Sequence, residues 1–115
     1  MGHYHDEMKQ TQASGRELRE QIPEVYSGFA RLHKAAFEEG ELTSKTKELI
    51  AVAIAVADKC DGCIASHTRA AVRQGATQQE FAEMLGVVIQ MTGGPGTVYA
   101  PKAWDAYKEF KERYG

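Results

Sequence analysis

Apolar residues recur at helical spacing along most of this chain. Between Pro23 and Gly40 they lie three and four positions apart, at Val25, Phe29, Leu32 and Ala36. This spacing predicts an amphipathic helix with one buried stripe, which begins at the proline and ends at the glycine. Residues 49–57, LIAVAIAVA, are apolar on every side. They predict a central helix that is buried on most of its surface.

Capping residues and glycines mark the limits of the other helices. A helical pattern starts at Ser14, and Thr43 or Ser44 is suited to cap the central helix. The next helix, DGCIASHTRAAVRQG, ends at a glycine. TQQEFAEMLGVVIQM then opens with a threonine and a glutamate in capping-box spacing. After the break TGGPG, we expect the last helix to start at Pro101.

This pattern predicts an all-α fold of about six helices in a single helical bundle. We expect residues 14–115 to form the helical domain and residues 1–13 to form a flexible polar arm. His3 and His5 in that arm could bind a metal ion, but a solvated tail is the stronger expectation. Met84 and Met91 are expected in the core. The aromatic side chains expected in the core or at subunit contacts are those of Tyr99, Trp104, Tyr107 and Phe110.

Charge and hydropathy exclude some partners and leave others open. The 115 residues carry a formal net charge of −2 and no cluster of lysine and arginine, which argues against nucleic acid. Residues 49–57 are too few to span a membrane as a helix. Because the opening MGHYHDEMKQ is unlike a secretory signal, we expect a cytoplasmic protein. In that compartment a CxxC pair is more often redox-active or metal-binding than a structural disulfide.

Both cysteines and one histidine lie on one predicted helix face. Cys60, Cys63 and His67 fall within about 60° of arc, and the helix is expected to start at Asp61 or Cys60. The dipole at that helix start favours a thiolate, and His67 is one turn from Cys63 to take its proton. Glu48 precedes the apolar run and could orient His67 if the two helices are antiparallel. The spacing also predicts an intramolecular disulfide between the two cysteines.

Glu48, Cys60, Cys63 and His67 resemble the E-x11-C-x2-C-x3-H signature of the AhpD-like alkylhydroperoxidases, a group within the carboxymuconolactone decarboxylase superfamily. The flanking sequence is also similar, over roughly residues 23 to 110. The resemblance implies an all-α enzyme that assembles into trimers or hexamers and reduces hydroperoxides through a Cys60–Cys63 disulfide. It implies a dithiol electron donor, such as a lipoyl protein or a thioredoxin-like protein, and no bound cofactor or metal.

One position departs from the AhpD pattern. The best-studied type has a second relay histidine directly before the second cysteine, and Gly62 stands there in this chain. This difference leaves room for a bulkier disulfide or thiol partner. Two other functions remain open: a dithiol redox switch or protein disulfide reductase, and a non-peroxidase enzyme of the same superfamily. A zinc site made of both cysteines, His67 and Glu48 is a further alternative.

Overall fold

The computed structural model describes the backbone of residues 3–115 and the side chains of residues 6, 9–10 and 12–115. Over that range the chain folds into six α-helices and no strand, which confirms the all-α prediction. The helices are α1 (His3–Gln21), α2 (Pro23–Phe37), α3 (Ser44–Ala57), α4 (Asp61–Arg73), α5 (Gln78–Thr92) and α6 (Gly94–Tyr114). None of these helices is both long enough and apolar enough to cross a membrane.

The core lies among α3, α4, α5 and α6, which pack against one another. The predicted core aromatics are confirmed, since Tyr107 and Phe110 are buried and Trp104 packs against the cluster. The ring of Tyr107 lies 4.7 Å from that of Phe81, and its hydroxyl donates a 2.8 Å hydrogen bond to the Ala76 carbonyl. Burial raises the pKa of Tyr107, so the hydroxyl keeps its proton as a donor. This bond ties α6 to the turn after α4.

Side-chain caps define the starts of α3 and α5, as the sequence predicts. Thr43 caps α3 by accepting from the Thr46 N–H. Thr77 and Glu80 form a capping box at α5, and Glu80 also pairs with Lys45 of α3 at 2.9 Å. The backbone N–H of Thr77, the main cause, and then Lys45 lower the pKa of Glu80. These contacts set α3 and α5 side by side.

The first helix starts earlier than the sequence pattern predicts. Helix α1 begins at His3 rather than at Ser14, because good helix formers such as glutamate, lysine and glutamine continue the helix without any apolar stripe. The division into an arm and a domain stays a prediction. His3 and His5, for which a solvated tail is the expectation and metal binding the alternative, have side chains outside the described ones.

Two predictions of burial are wrong within one copy of the chain. Helix α2 has no buried residue, and the side chains of Val25, Phe29 and Leu32 are 63%, 66% and 63% exposed. Met91, expected in the core, is 75% exposed. Apolar residues do recur at helical spacing on α2 and on α5. This spacing identifies the apolar face of a helix, but it does not identify the surface that packs against that face.

The central helix α3 is also less buried than predicted. Val52, Ala55 and Val56 are in the core, but Ile54 is 57% exposed on the opposite side. Ile54 lines a shallow pocket with Val87 and Met91 of α5. We call these three residues the α3–α5 patch.

The start of α6 was also predicted wrongly, because Pro101 lies inside the helix and not at its beginning. Gly93 makes the break before α6 with a φ of 70°, a left-handed value that favours glycine. Gly96 then lets α6 approach α5 closely, since a Cβ atom there would clash with Thr92. Close packing against α5 outweighs the cost of one missing N–H at Pro101.

Candidate active site at the CxxC turn

The turn between α3 and α4 sets the position of Cys60. Helix α3 ends in a Schellman motif, in which the Cys60 N–H bonds the Ala55 carbonyl at 3.0 Å and the Lys59 N–H bonds the Val56 carbonyl at 3.1 Å. Lys59 adopts a left-handed φ of 55° in this motif. Gly75 occupies the equivalent position in the Schellman motif after α4. The last residue of this motif is therefore the residue that caps the next helix, Cys60.

Cys60 and Cys63 are joined by a disulfide, with Cα atoms 5.2 Å apart. The Sγ of Cys60 also accepts the Cys63 N–H at 3.3 Å, so this sulfur is the N-cap of α4. A negative charge on the Cys60 sulfur would be stabilised by the unpaired N–H groups and the positive end of the helix dipole. Residue 63 is exposed and residue 60 is half-buried. This difference in exposure favours Cys63 as the sulfur that an external reductant meets.

A part-buried hydrogen bond between side chains links α3 to α4. The Nδ1 of His67 lies 2.8 Å from the Oε1 of Glu48, and Glu48 is only 6% exposed. Because a carboxylate only accepts hydrogen bonds, Nδ1 is the donor and Nε2 is left free. The contact predicted from an antiparallel return of α4 is present. The catalytic roles assigned to Glu48, His67, Cys60 and Cys63 stay predictions.

Two side chains that the sequence analysis did not assign to the site also belong to it. His33 stacks on Phe37, with ring centroids 4.5 Å apart. Phe37 in turn stacks on His67 at 5.4 Å. The signal was present in the sequence: the last turn of α2 and the first turns of α3 adjoin when a short loop joins the two helices.

Gly62 leaves open space beside the disulfide. A Cβ atom built at this residue would have nothing within 4 Å. The space that the sequence analysis expected at this position is therefore present, and a β-carbon fits there without moving its neighbours.

Comparison with known proteins places this geometry in one family. The profile of the carboxymuconolactone decarboxylase family matches residues 23–106. An uncharacterised protein of Cupriavidus necator is 48% identical over 81 residues, which cover 70% of this chain and 72% of that protein. An uncharacterised protein from the cox locus of Paracoccus denitrificans is 38% identical, over 69% of this chain and 71% of that one.

The similar solved structures belong to the same family as the matching profile. A carboxymuconolactone decarboxylase family protein of Legionella pneumophila, solved in its apo form, superimposes with a TM-score of 0.92 at 41% identity, over 94% of this chain and 96% of that one. A family member from Thermotoga maritima superimposes with a TM-score of 0.76 at 27% identity, over 90% of this chain and 91% of that one. The Thermotoga protein is described as having a possible role in the antioxidative response.

Proposed function

We propose that this chain, which belongs to the carboxymuconolactone decarboxylase family, is a thiol-dependent alkyl hydroperoxide reductase. The observation that carries the proposal is a CxxC pair whose helix also bears a histidine bonded to a buried carboxylate. The pair supplies two electrons, and the His67–Glu48 contact supplies a base with a free Nε2. Such a pair needs continual re-reduction, so we place the protein in the cytoplasm.

In the oxidative half of the proposed reaction, His67 takes the proton of Cys63 and the thiolate attacks the outer oxygen of the hydroperoxide. The O–O bond breaks, Cys63 becomes a sulfenic acid, and the alkoxide takes a proton from His67 to leave as the alcohol. The Cys60 thiol then attacks the sulfur of Cys63. A disulfide forms and water leaves, so the dithiol loses the two electrons that the peroxide gains.

In the reductive half, a thiol of the electron donor attacks the exposed sulfur of Cys63. Cys60 leaves as a thiolate at the N-cap, where the Cys63 N–H already bonds its sulfur at 3.3 Å. The donor's second thiol then attacks the mixed disulfide, which releases Cys63 and completes the donor's own disulfide. A dithiol donor suits this sequence, and we propose a lipoyl protein or a thioredoxin-like protein.

A turnover assay tests this proposal. Peroxide consumption should continue beyond one equivalent when dihydrolipoamide or thioredoxin is supplied, with glutathione as the comparison donor. One oxidation without turnover would instead fit a redox switch. An activity that survives loss of both cysteines would fit a non-redox enzyme of the family.

Protein disulfide reduction is the second candidate, and the space at Gly62 is the observation that favours it. Replacing Gly62 by histidine should raise the peroxidase rate if a missing second proton carrier limits it, because the new imidazole would stand beside Cys63. The same change should slow reduction of a protein disulfide by crowding the site. Gly62→Ala, which fills space without adding a base, is the matched control. A peroxidase rate that is equal in Gly62→His and Gly62→Ala would show that no second base is limiting.

We also propose that the protein works as a trimer or a hexamer. Two exposed apolar surfaces, the α2 stripe of Val25, Phe29 and Leu32 and the α3–α5 patch, are separate in sequence. Two surfaces of this kind would serve the two kinds of contact in a hexamer built from trimers.

Light scattering should therefore report a mass of several times the 12.7 kDa of one chain. Phe29→Glu should lower that mass, because a buried carboxylate without a partner opposes association. Lys34→Glu, an exposed change on the same helix, should leave it unaltered. A monomeric wild-type protein at micromolar concentration would contradict the assembly.

A further inference from the structure

A cluster of three possible metal ligands lies where α2, α3 and α4 meet. Atoms of His33, Glu48 and His67 that can each donate a lone pair lie within 4.8 Å of one another. The three residues come from three different helices. We propose that these side chains form a binding site for a divalent transition-metal ion such as Zn²⁺.

The donor set suits such an ion. Two imidazole nitrogens and one carboxylate oxygen are a set that zinc uses at open sites, with further positions left for water or another ligand. Imidazole also selects transition metals over Mg²⁺ and Ca²⁺, which prefer oxygen ligands alone. This set differs from the zinc site considered from the sequence, which needed both sulfurs now joined in the disulfide.

The geometry is close to what coordination requires. In a tetrahedral zinc site with ligand distances of about 2.1 Å, two ligand atoms lie about 3.4 Å apart. The limit of 4.8 Å in the cluster therefore leaves at most about 1.4 Å to close. His33 can supply it by a small rotation, since this side chain is exposed.

The surroundings hold the ligands in place and leave a path for the ion. Glu48 is buried and already faces His67, so the carboxylate needs little further ordering. Phe37 stacks on both imidazoles and limits how far the rings can turn. His33 is exposed and also lines a pocket of about 490 Å³ on the α2 surface, so an ion can reach this imidazole from solvent.

An ion at this site would share His67 and Glu48 with the proposed proton relay. Metal binding and proton transfer by His67 would then exclude each other. That consequence rests on the proposed function, whereas the binding site itself does not, because it needs neither thiol.

The test is a Zn²⁺ titration of the full chain by isothermal titration calorimetry, with the Cys60–Cys63 disulfide intact so that no thiolate can bind. His3→Ala and His5→Ala are introduced into the background to remove the other histidines near the start of the chain. We expect one Zn²⁺ per chain. His33→Ala and Glu48→Gln should each weaken binding by at least about tenfold.

Lys34→Ala, a neutralising change at the next residue of α2, should leave the affinity unaltered. Circular dichroism checks that each variant is folded, and His33→Ala keeps the test decisive because His33 is exposed. No binding by the background protein, or equal binding by His33→Ala, would overturn the site. Either result would leave the peroxidase proposal standing, since peroxide turnover is measured separately.

Discussion

Replacing Cys63 by serine is expected to abolish the reaction of the reduced protein with alkyl hydroperoxides. Cys63 is the exposed member of the pair and lies one helical turn from His67 on the same face. A free thiol with a pKa near 8.5 is only a few per cent ionised at pH 7, so a nearby base raises the reactive fraction many-fold. Serine cannot replace this nucleophile, and the rate should fall to that of the buffer.

The reciprocal change should separate the two sulfurs. Cys60→Ser leaves the nucleophile and removes the resolving thiol, so one equivalent of peroxide should react and Cys63 should be trapped as a sulfenic acid. Dimedone labelling followed by peptide mass spectrometry identifies the modified cysteine. Label on Cys60 in the Cys63→Ser variant, at the wild-type rate, would reverse the assignment. The N-cap position of Cys60 makes this a real alternative, because that site also favours a thiolate.

Loss of the relay should shift the pH at which the reduced protein is alkylated. His67→Ala removes the proposed base, and Glu48→Gln keeps the shape of the side chain but removes the charge that holds His67 at 2.8 Å. In both variants, the pH at which iodoacetamide alkylation of Cys63 reaches half its maximal rate should be higher than in the wild type. The larger shift is expected for His67→Ala, since Glu48 acts only through the histidine.

Ser66→Ala is the control for this experiment, since Ser66 is an exposed neighbour of His67 on α4. It should alkylate with the wild-type pH profile. Identical profiles for the wild type, His67→Ala and Glu48→Gln would remove the relay from the mechanism, while leaving the cysteines as its redox centre.

The part of the site that sequence reasoning found is the part built on one helix. The spacing of Cys60, Cys63 and His67 fixes their common face once α4 is helical, and the N-cap role of Cys60 follows from where the helix starts. Glu48 needed one further step, the antiparallel pairing of two consecutive helices. That pairing is the commonest arrangement for helices joined by a short turn, and the Glu48–His67 contact agrees with it.

What the sequence did not reveal depends on contacts between distant segments. His33 reaches the site because the loop after α2 turns that helix back onto α3 and α4. The short loop predicts that the ends of α2 and α3 adjoin, but no local pattern predicts the approach of His33 to His67 of α4. The exposed stripe on α2 was predicted as buried because apolar spacing identifies a face without saying which surface meets it. Pro101 misled the prediction of α6 because packing through Gly96 outweighs a single unfavourable residue.

The central claim is that Cys60 and Cys63 reduce a hydroperoxide by forming a disulfide with each other. Its most direct test mixes the fully reduced protein with one equivalent of an alkyl hydroperoxide and follows peroxide, alcohol and protein mass together. We predict that each chain consumes one peroxide, yields one alcohol and loses two hydrogens, with the new bond mapped between Cys60 and Cys63 of the same chain. Unconsumed peroxide, or disulfides that join only different chains, would contradict the account.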